Sequence, residues 1–281
     1  MLALAPRVVD VIWSAVEPLL PPRPPDRHPL GCHRPRVPDR DCFDGILYRL
    51  VTGCSWDVAG RLAGVGESTL RRRRDEWLRT GVFDRLAEEA LDAYDRIIGL
   101  DLAEVALDAS QHKAPCGGEG TGPNCTDKGR SGWKWSLATD AAGIPISWID
   151  APANRHDAKL VDVTLDAIEF RGLHHDIETI HMDRGYDFDF VRQDCNRHGL
   201  TDLQIARVRK RRRAGRRSKK PIPLGLRWPI ERTNSWLTNF GQLRRNTDRL
   251  PWQRRAQLSL AIAIVLTIKL IKWADRWNPT T

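Results

Sequence analysis

Three acidic residues stand where carboxylates could converge on a divalent cation: Asp108, Asp183 and Glu231. Asp108 closes the alternating segment EVALD, where the apolar pattern stops, and Asp183 follows the apolar end of a second such segment in HMDRGYD. The carboxyl ends of strands border the crevice that an open sheet leaves for ligands, so two aspartates placed there can converge on one metal. Glu231 lies in RWPIERTNSWL, where Pro229 suits the first position of a helix and puts the glutamate in its first turn. A helix packed on the sheet would bring it to the same point. Such an all-oxygen set suits magnesium or manganese. Two ions about 4 Å apart stabilise both the attacking and the leaving oxygen of a phosphodiester displacement. Each residue also has a plainer role: Glu231 can complement a helix dipole, Asp183 can shape a turn and Asp108 can cap a loop. With 36 acidic residues in the chain, spacing alone does not single out three.

The surrounding pattern predicts the elements that would hold them. Residues 104–108, 133–139 and 144–149 alternate as strands of a meander; a helix over 157–170, a strand at 178–182, a helix over 188–197 and a strand at 201–206 follow. Strand, helix, strand order implies parallel pairing, so the fold class is α/β, a mixed sheet flanked by helices. A helix from about Pro229 and an apolar helix over 252–273 complete the chain.

The first 98 residues read as a small all-α domain, ahead of an α/β domain over 99–281. A helix over 7–17 precedes a proline-rich linker at 18–38. Phe43, Ile46, Leu47 and Leu50 share one face of a helix that Gly53 ends. Ser55 can cap a second helix, Gly64 and Gly66 make a turn, and Ser68 or Thr69 can cap a third that runs to Arg79. This is the outline of a helix-turn-helix, whose last helix enters the major groove of DNA. That helix carries Arg71, Arg72, Arg73 and Arg74, which cannot all face one way.

Composition points to the same partner. The chain has 45 basic residues and a formal charge of +9, which attracts polyanions, and arginine's planar fork suits phosphate and guanine. From Arg207 to Lys220, ten of fourteen residues are basic, Arg207, Arg209, Lys210, Arg211, Arg212 and Arg213 among them. Such a run grips DNA backbone without reading sequence. The six cysteines form no CxxC pair and no signal-like segment precedes them, which implies reduced thiols in a cytoplasmic protein. The apolar run 258–268 is shorter than the roughly 20 residues of a membrane span, so a buried helix and no membrane partner are expected.

The motifs, in this order, resemble bacterial insertion-sequence transposases of the insertion-sequence family numbered five, whose catalytic domain is ribonuclease-H-like. DGILYRLVTGCSWDVAG and STLRRRRDEWLRTGVFDRL are similar to that family's helical DNA-binding region. LDASQHKA carries its first aspartate at Asp108, DKGRSGWKWSLATDAAGIPI its glycine-arginine-serine segment, HMDRGYD the second aspartate at Asp183, and RWPIERTNSWL with QLRRNTDR the glutamate at Glu231. The wider superfamily shows tyrosine, arginine, glutamate and lysine around the third carboxylate. Arg227 and Glu231 fit, whereas Leu224 and Thr238 stand in the tyrosine and lysine places. The resemblance implies a DNA transposase that binds the terminal inverted repeats of its own element, cuts there with Mg2+ or Mn2+, and joins the freed 3′ hydroxyl to target DNA. It further implies two ions held by the three carboxylates and at least a dimer on double-stranded DNA, near the bacterial nucleoid. Lys128, Arg130, Arg184, Arg227, Arg232, Arg244 and Arg245 join the expected DNA contacts, the last two and Arg232 standing in for the absent lysine. A helix-turn-helix regulator without chemistry, or a ribonuclease-H-like nuclease that cuts without joining, are the alternatives.

Overall fold

The computed structural model describes residues 4–22, 35–205 and 228–277. They divide into two compact units, Met1–Ile98 with Leu237–Thr281, and Gly99–Trp236.

The first unit opens with five helices: α1 (Pro6–Val16), α2 (Asp39–Thr52), α3 (Trp56–Ala63), α4 (Glu67–Arg79) and α5 (Val82–Ile97). Phe43, Ile46, Leu47 and Leu50 of α2 are buried as their spacing predicts, and Gly53 ends the helix at φ 72°. Ser55 accepts a hydrogen bond from Val58 N at 3.2 Å and caps α3. The cap of α4 is Gly66, not Ser68 or Thr69. The helix starts early because Val65 N is drawn back onto Gly60 O at 2.9 Å, which closes the turn one residue before Gly66.

Among its described residues, Gly99–Trp236 holds one six-stranded sheet: β1 (Glu104–Lys113), β2 (Gly122–Asn124), β3 (Arg130–Thr139), β4 (Pro145–Pro152), β5 (Thr179–Met182) and β6 (Asp202–Ile205). β3 pairs antiparallel with β1 and β4, whereas β5 pairs parallel with both β1 and β6. Gly132 of β3 faces Lys113 of β1 and also Gly122, so β2 lies on the β4 side and the order across the sheet is β4-β3-β1-β5-β6. The glycine-rich segment before β3 thus supplies a short strand, β2. A 3-10 turn (Asp157–Leu160) leads into α6 (Val161–Phe170), α7 (Asp189–Arg197) joins β5 to β6, and α8 (Trp228–Thr238) follows. One face of the sheet buries Val105, Leu107, Ile180 and Met182 against Val161, Leu165 and Ile168 of α6 and Val191 and Cys195 of α7. Each such side chain contributes roughly 1.5–3 kcal/mol when fully buried.

The short α9 (Gly241–Arg244) and the 27-residue α10 (Pro251–Trp277) return to the helical unit. Sequence reasoning grouped 237–281 with the sheet; the segment packs among the N-terminal helices instead. The reason lies in α10: from Ala256 to Leu266 every residue is buried, so it needs partners on all sides. Ser259 donates to Asp84 of α5 at 2.5 Å, and Arg7 pairs with Asp275. By length and composition α10 could cross a membrane, but 61% of its most apolar window is buried in the fold and Arg254 lies inside it.

Candidate active site

Asp108 is not at the end of β1, which runs on to Lys113 in its hairpin with β3. It is the first residue beyond the parallel ladder, whose last pair is Leu107 beside Met182. Asp183 is the first residue beyond the same pair on β5. Adjacent strands lie about 4.8 Å apart, so the two carboxylates spring from neighbouring backbone. Leu107 and Met182 point into the core under α6 and α7, and side chains alternate along a strand, so both aspartates turn toward the opposite face. Asp183 also caps the 3-10 turn Arg184–Tyr186 by accepting from Gly185 N at 2.6 Å. A Cβ on Gly185 would come within 2.9 Å of that carboxylate. Beneath the pair, burial first and then the charges of Asp108, Asp157 and Asp183 push the wholly enclosed Tyr186 phenol well above its ordinary range.

Helix α8 lies over the aspartate-bearing face. Its residue Asn234 donates to Asp108 Oδ2 at 3.3 Å and accepts from Trp135 Nε1 of β3 at 2.8 Å. Glu231 precedes Asn234 by three residues, so both lie on one side of the helix; the glutamate is exposed in the first turn. The start of α8 is seated on the β3–β4 turn. Thr233 Oγ1 donates to Gly143 O and Arg232 to Ala142 O, both at 2.5 Å. Gly143, at φ 79°, has no room for a side chain: a Cβ would meet Arg232, Pro229 O and Thr233 Oγ1 at 2.9–3.2 Å. Sequence reasoning missed Asn234, Gly143 and Tyr186. A turn between the strands at 133–139 and 144–149 was legible, but nothing in the sequence says that a helix some 90 residues later sits on it.

The donors offered by Asp108, Asp183 and Glu231 are all carboxylate oxygens, which fit a hard divalent cation such as magnesium or manganese. Among the described residues, a tighter cluster of possible metal ligands is Asp162, Asp166 and His198, with atoms within 4.8 Å of one another. It sits where α7 ends, and α7 leaves from the Asp183 end of β5, so it belongs to the other end of the sheet. Both ring nitrogens of His198 already face carboxylates, Glu169 at 2.9 Å and Asp162 at 3.2 Å. His112, near Asp108 in sequence, stacks on Trp135 with ring centroids 3.6 Å apart, and burial lowers its pKa to about 3, so it is neutral.

The expected DNA contacts separate by burial. Arg71 and Arg72 of α4 are exposed, as are Lys128, Arg130, Arg184, Arg244 and Arg245. Arg73 and Arg74 are not available for DNA, a correction to the sequence reading. Arg73 is paired with Asp39 and packs near Trp77; Arg74 binds Asp75 at 2.7 Å and the buried Asp248 at 3.0 Å. Four successive residues spread over about 300° of the helix circumference, so they cannot all face outward. Arg232 is half-buried between the rings of Trp228 and Trp236, at 4.3 and 4.8 Å. Arg207, Arg209, Lys210, Arg211, Arg212, Arg213 and Arg227 lie outside the described residues.

A central β1 with antiparallel strands on one side and parallel strands on the other, helices over both faces and acidic residues where the parallel ladder ends, defines a ribonuclease-H-like domain. Residues 101–266 match the family model "Transposase DDE domain", and residues 8–87 match "Putative transposase of IS4/5 family". The chain belongs to the DDE transposases of that insertion-sequence family. It is 36% identical over 159 residues, 54% of its length and 68% of the relative's, to a Burkholderia cepacia protein described as "Putative transposase for insertion sequence element IS402". A second B. cepacia protein, "Insertion element IS402 uncharacterized 16.2 kDa protein", is 36% identical over 119 residues, 42% of this chain and 80% of that one. Among solved structures, the Mos1 transposase paired-end complex with the left transposon end aligns over 88% of this chain and 82% of its own, at 11% identity and a TM-score of 0.27, too low to bear on the site.

Proposed function

We propose that the protein catalyses transposition of its own insertion element: it binds the terminal inverted repeats, cleaves the DNA strands there and transfers the freed 3′ ends to target DNA. The observation that carries this reading is the placement of Asp108 and Asp183 each one residue past the last rung of a parallel ladder, Leu107 beside Met182, with the helix of Glu231 tied to Asp108 through Asn234. The three carboxylates would hold two divalent cations, magnesium or manganese. When bound, the ions supply an activated oxygen nucleophile and neutralise charge on the reacting phosphate. The chain's own groups do the positioning. Asp183 is fixed by Gly185 N, Asp108 by Asn234, and α8 by the β3–β4 turn, so the acidic groups are set before substrate arrives.

The helices α2, α3 and α4 present Arg71 and Arg72 to double-stranded DNA. The exposed Lys128, Arg130, Arg184, Arg244 and Arg245 add phosphate contacts, as do Arg227 and the basic run at 207–220. Pairing two element ends requires at least two copies of the chain, working at the nucleoid in the bacterial cytoplasm. The test is nicking of DNA that carries the element's terminal repeats, with magnesium or manganese supplied. Asp183→Asn is expected to abolish it; a variant that cuts as well as its parent overturns the assignment. Recovery of joined products with a target plasmid separates a transposase from a nuclease that only cuts.

A further inference from the structure

We infer that Asn234 is a positioning residue that presents Asp108 to the cation; this rests on the reading of Asp108 as a metal ligand. The indole Nε1 of Trp135 can only donate, and an ionised Asp108 can only accept. Between them lies the side chain of Asn234, taking Trp135 Nε1 at 2.8 Å on Oδ1 and giving Nδ2 to Asp108 Oδ2 at 3.3 Å. A carboxamide supplies an acceptor on one side and a donor on the other. The indole therefore fixes which way the amide is turned, since a flipped amide would aim Nδ2 at an N–H and Oδ1 at a carboxylate. Trp135 is itself immobilised: it is fully buried and stacks on His112 with ring planes 16° apart. The chain His112, Trp135, Asn234, Asp108 thus runs from a neutral buried imidazole to the carboxylate. It holds Oδ2 of Asp108 from the α8 side. The same amide ties α8 to β1, so it also sets where Glu231 stands relative to the two aspartates.

The experiment is manganese binding to the full-length protein without DNA, followed by calorimetry and by the electron paramagnetic resonance of free Mn2+. Four variants are compared with the parent: Asn234→Leu, Trp135→Phe, the two combined, and Asp108→Asn. Asn234→Leu is expected to weaken Mn2+ binding about tenfold, the range seen when a hydrogen-bond partner of a ligand is removed. Trp135→Phe keeps the ring packing but removes the donor, and is expected to weaken binding in the same direction by less. The combined variant is expected to bind no more weakly than Asn234→Leu alone, because Trp135 acts through the amide. A purely structural role would lower the melting temperature of both variants and leave Mn2+ affinity unchanged in the folded protein. Unchanged affinity in either folded variant overturns the inference, and Trp135→Phe decides it should Asn234→Leu fail to fold. Asp108→Asn controls the premise: if it binds Mn2+ like the parent, the metal reading of Asp108 falls, and the inference with it.

Discussion

Asp108 and Asp183 occupy equivalent positions on adjacent parallel strands, each one residue past the pair Leu107 and Met182. If they share a cation, their contributions are coupled and not additive. Asp108→Asn and Asp183→Asn should each weaken Mn2+ binding by on the order of tenfold or more, and the double variant should be little worse than the weaker single one. Independent losses that multiply would show that the two residues serve separate ions. Titration calorimetry on the three variants decides between these outcomes.

Gly143 sets the seat of α8, and its substitution tests that seat. Alanine there must adopt φ 79° and place a methyl within 2.9 Å of Arg232 and 3.0 Å of Pro229 O. Gly172, at φ 72° with nothing within 4 Å of an added Cβ, is the control. Gly172→Ala should cost about 1 kcal/mol of unfolding free energy, the backbone penalty alone, and Gly143→Ala about 2–4 kcal/mol. Urea denaturation measures both. Gly143→Ala should also slow DNA nicking, whereas Gly172→Ala should not; equal stability losses in the two variants would remove the packing argument.

The contrast between Gly143 and Asp108 marks what was readable in the chain. Period-two alternation is a local signal, so five of the strands were legible from residues alone, but the apolar stop at Asp108 marked the end of the parallel ladder and not the end of β1, which runs on to Lys113. Glu231 was legible only as the first turn of a helix, because the seat of that helix depends on a turn near residue 143 and on the polarity of Asn234. These contacts join positions about 90 and 126 residues apart. The packing of α10 was hidden for a related reason: an all-round apolar helix announces burial but not the partner that buries it. In α4 the helical period was visible, yet which two of four arginines turn inward depends on Asp39 and Asp248, far along the chain.

Asp140 gives the stability a pH dependence of known sign. It is fully buried at the start of the β3–β4 turn and accepts from Ile144 N at 2.7 Å and Asp101 N at 3.2 Å. Burial outweighs those bonds and raises its pKa to about 6, against roughly 3.9 in an unfolded chain. Between those values the folded protein binds more protons than the unfolded one. Asp140 therefore lowers stability as pH rises from about 4 to about 6, and the cost is fully present above that. Asp140→Asn removes the titration. The stability of the variant relative to its parent should rise by on the order of 2–3 kcal/mol between pH 4 and pH 7.5. Urea midpoints across that range provide the measurement, and a difference that does not change with pH would contradict the assignment.

The four successive arginines of α4 divide into two tasks that mutation can separate. Arg74 and Arg49 both reach Asp248 Oδ1, at 3.0 and 3.3 Å, and all three side chains are buried. Gln242 and Gln257 complete the shell of that carboxylate. Removing Arg74 leaves the buried charge of Asp248 with Arg49 but without its second cation, so Arg74→Ala should cost on the order of 3 kcal/mol, read as a lower urea midpoint. Arg71 and Arg72 are exposed, and the 3.4 Å contact of Arg71 with Glu67 is a surface pair worth little. Replacing both with alanine should leave the urea midpoint nearly unchanged and weaken binding to terminal-repeat DNA, with a shallower dependence on salt because phosphate contacts are lost. If the exposed pair can be removed without any loss of affinity at low salt, α4 does not face DNA. Recognition would then have to lie elsewhere in the helical unit.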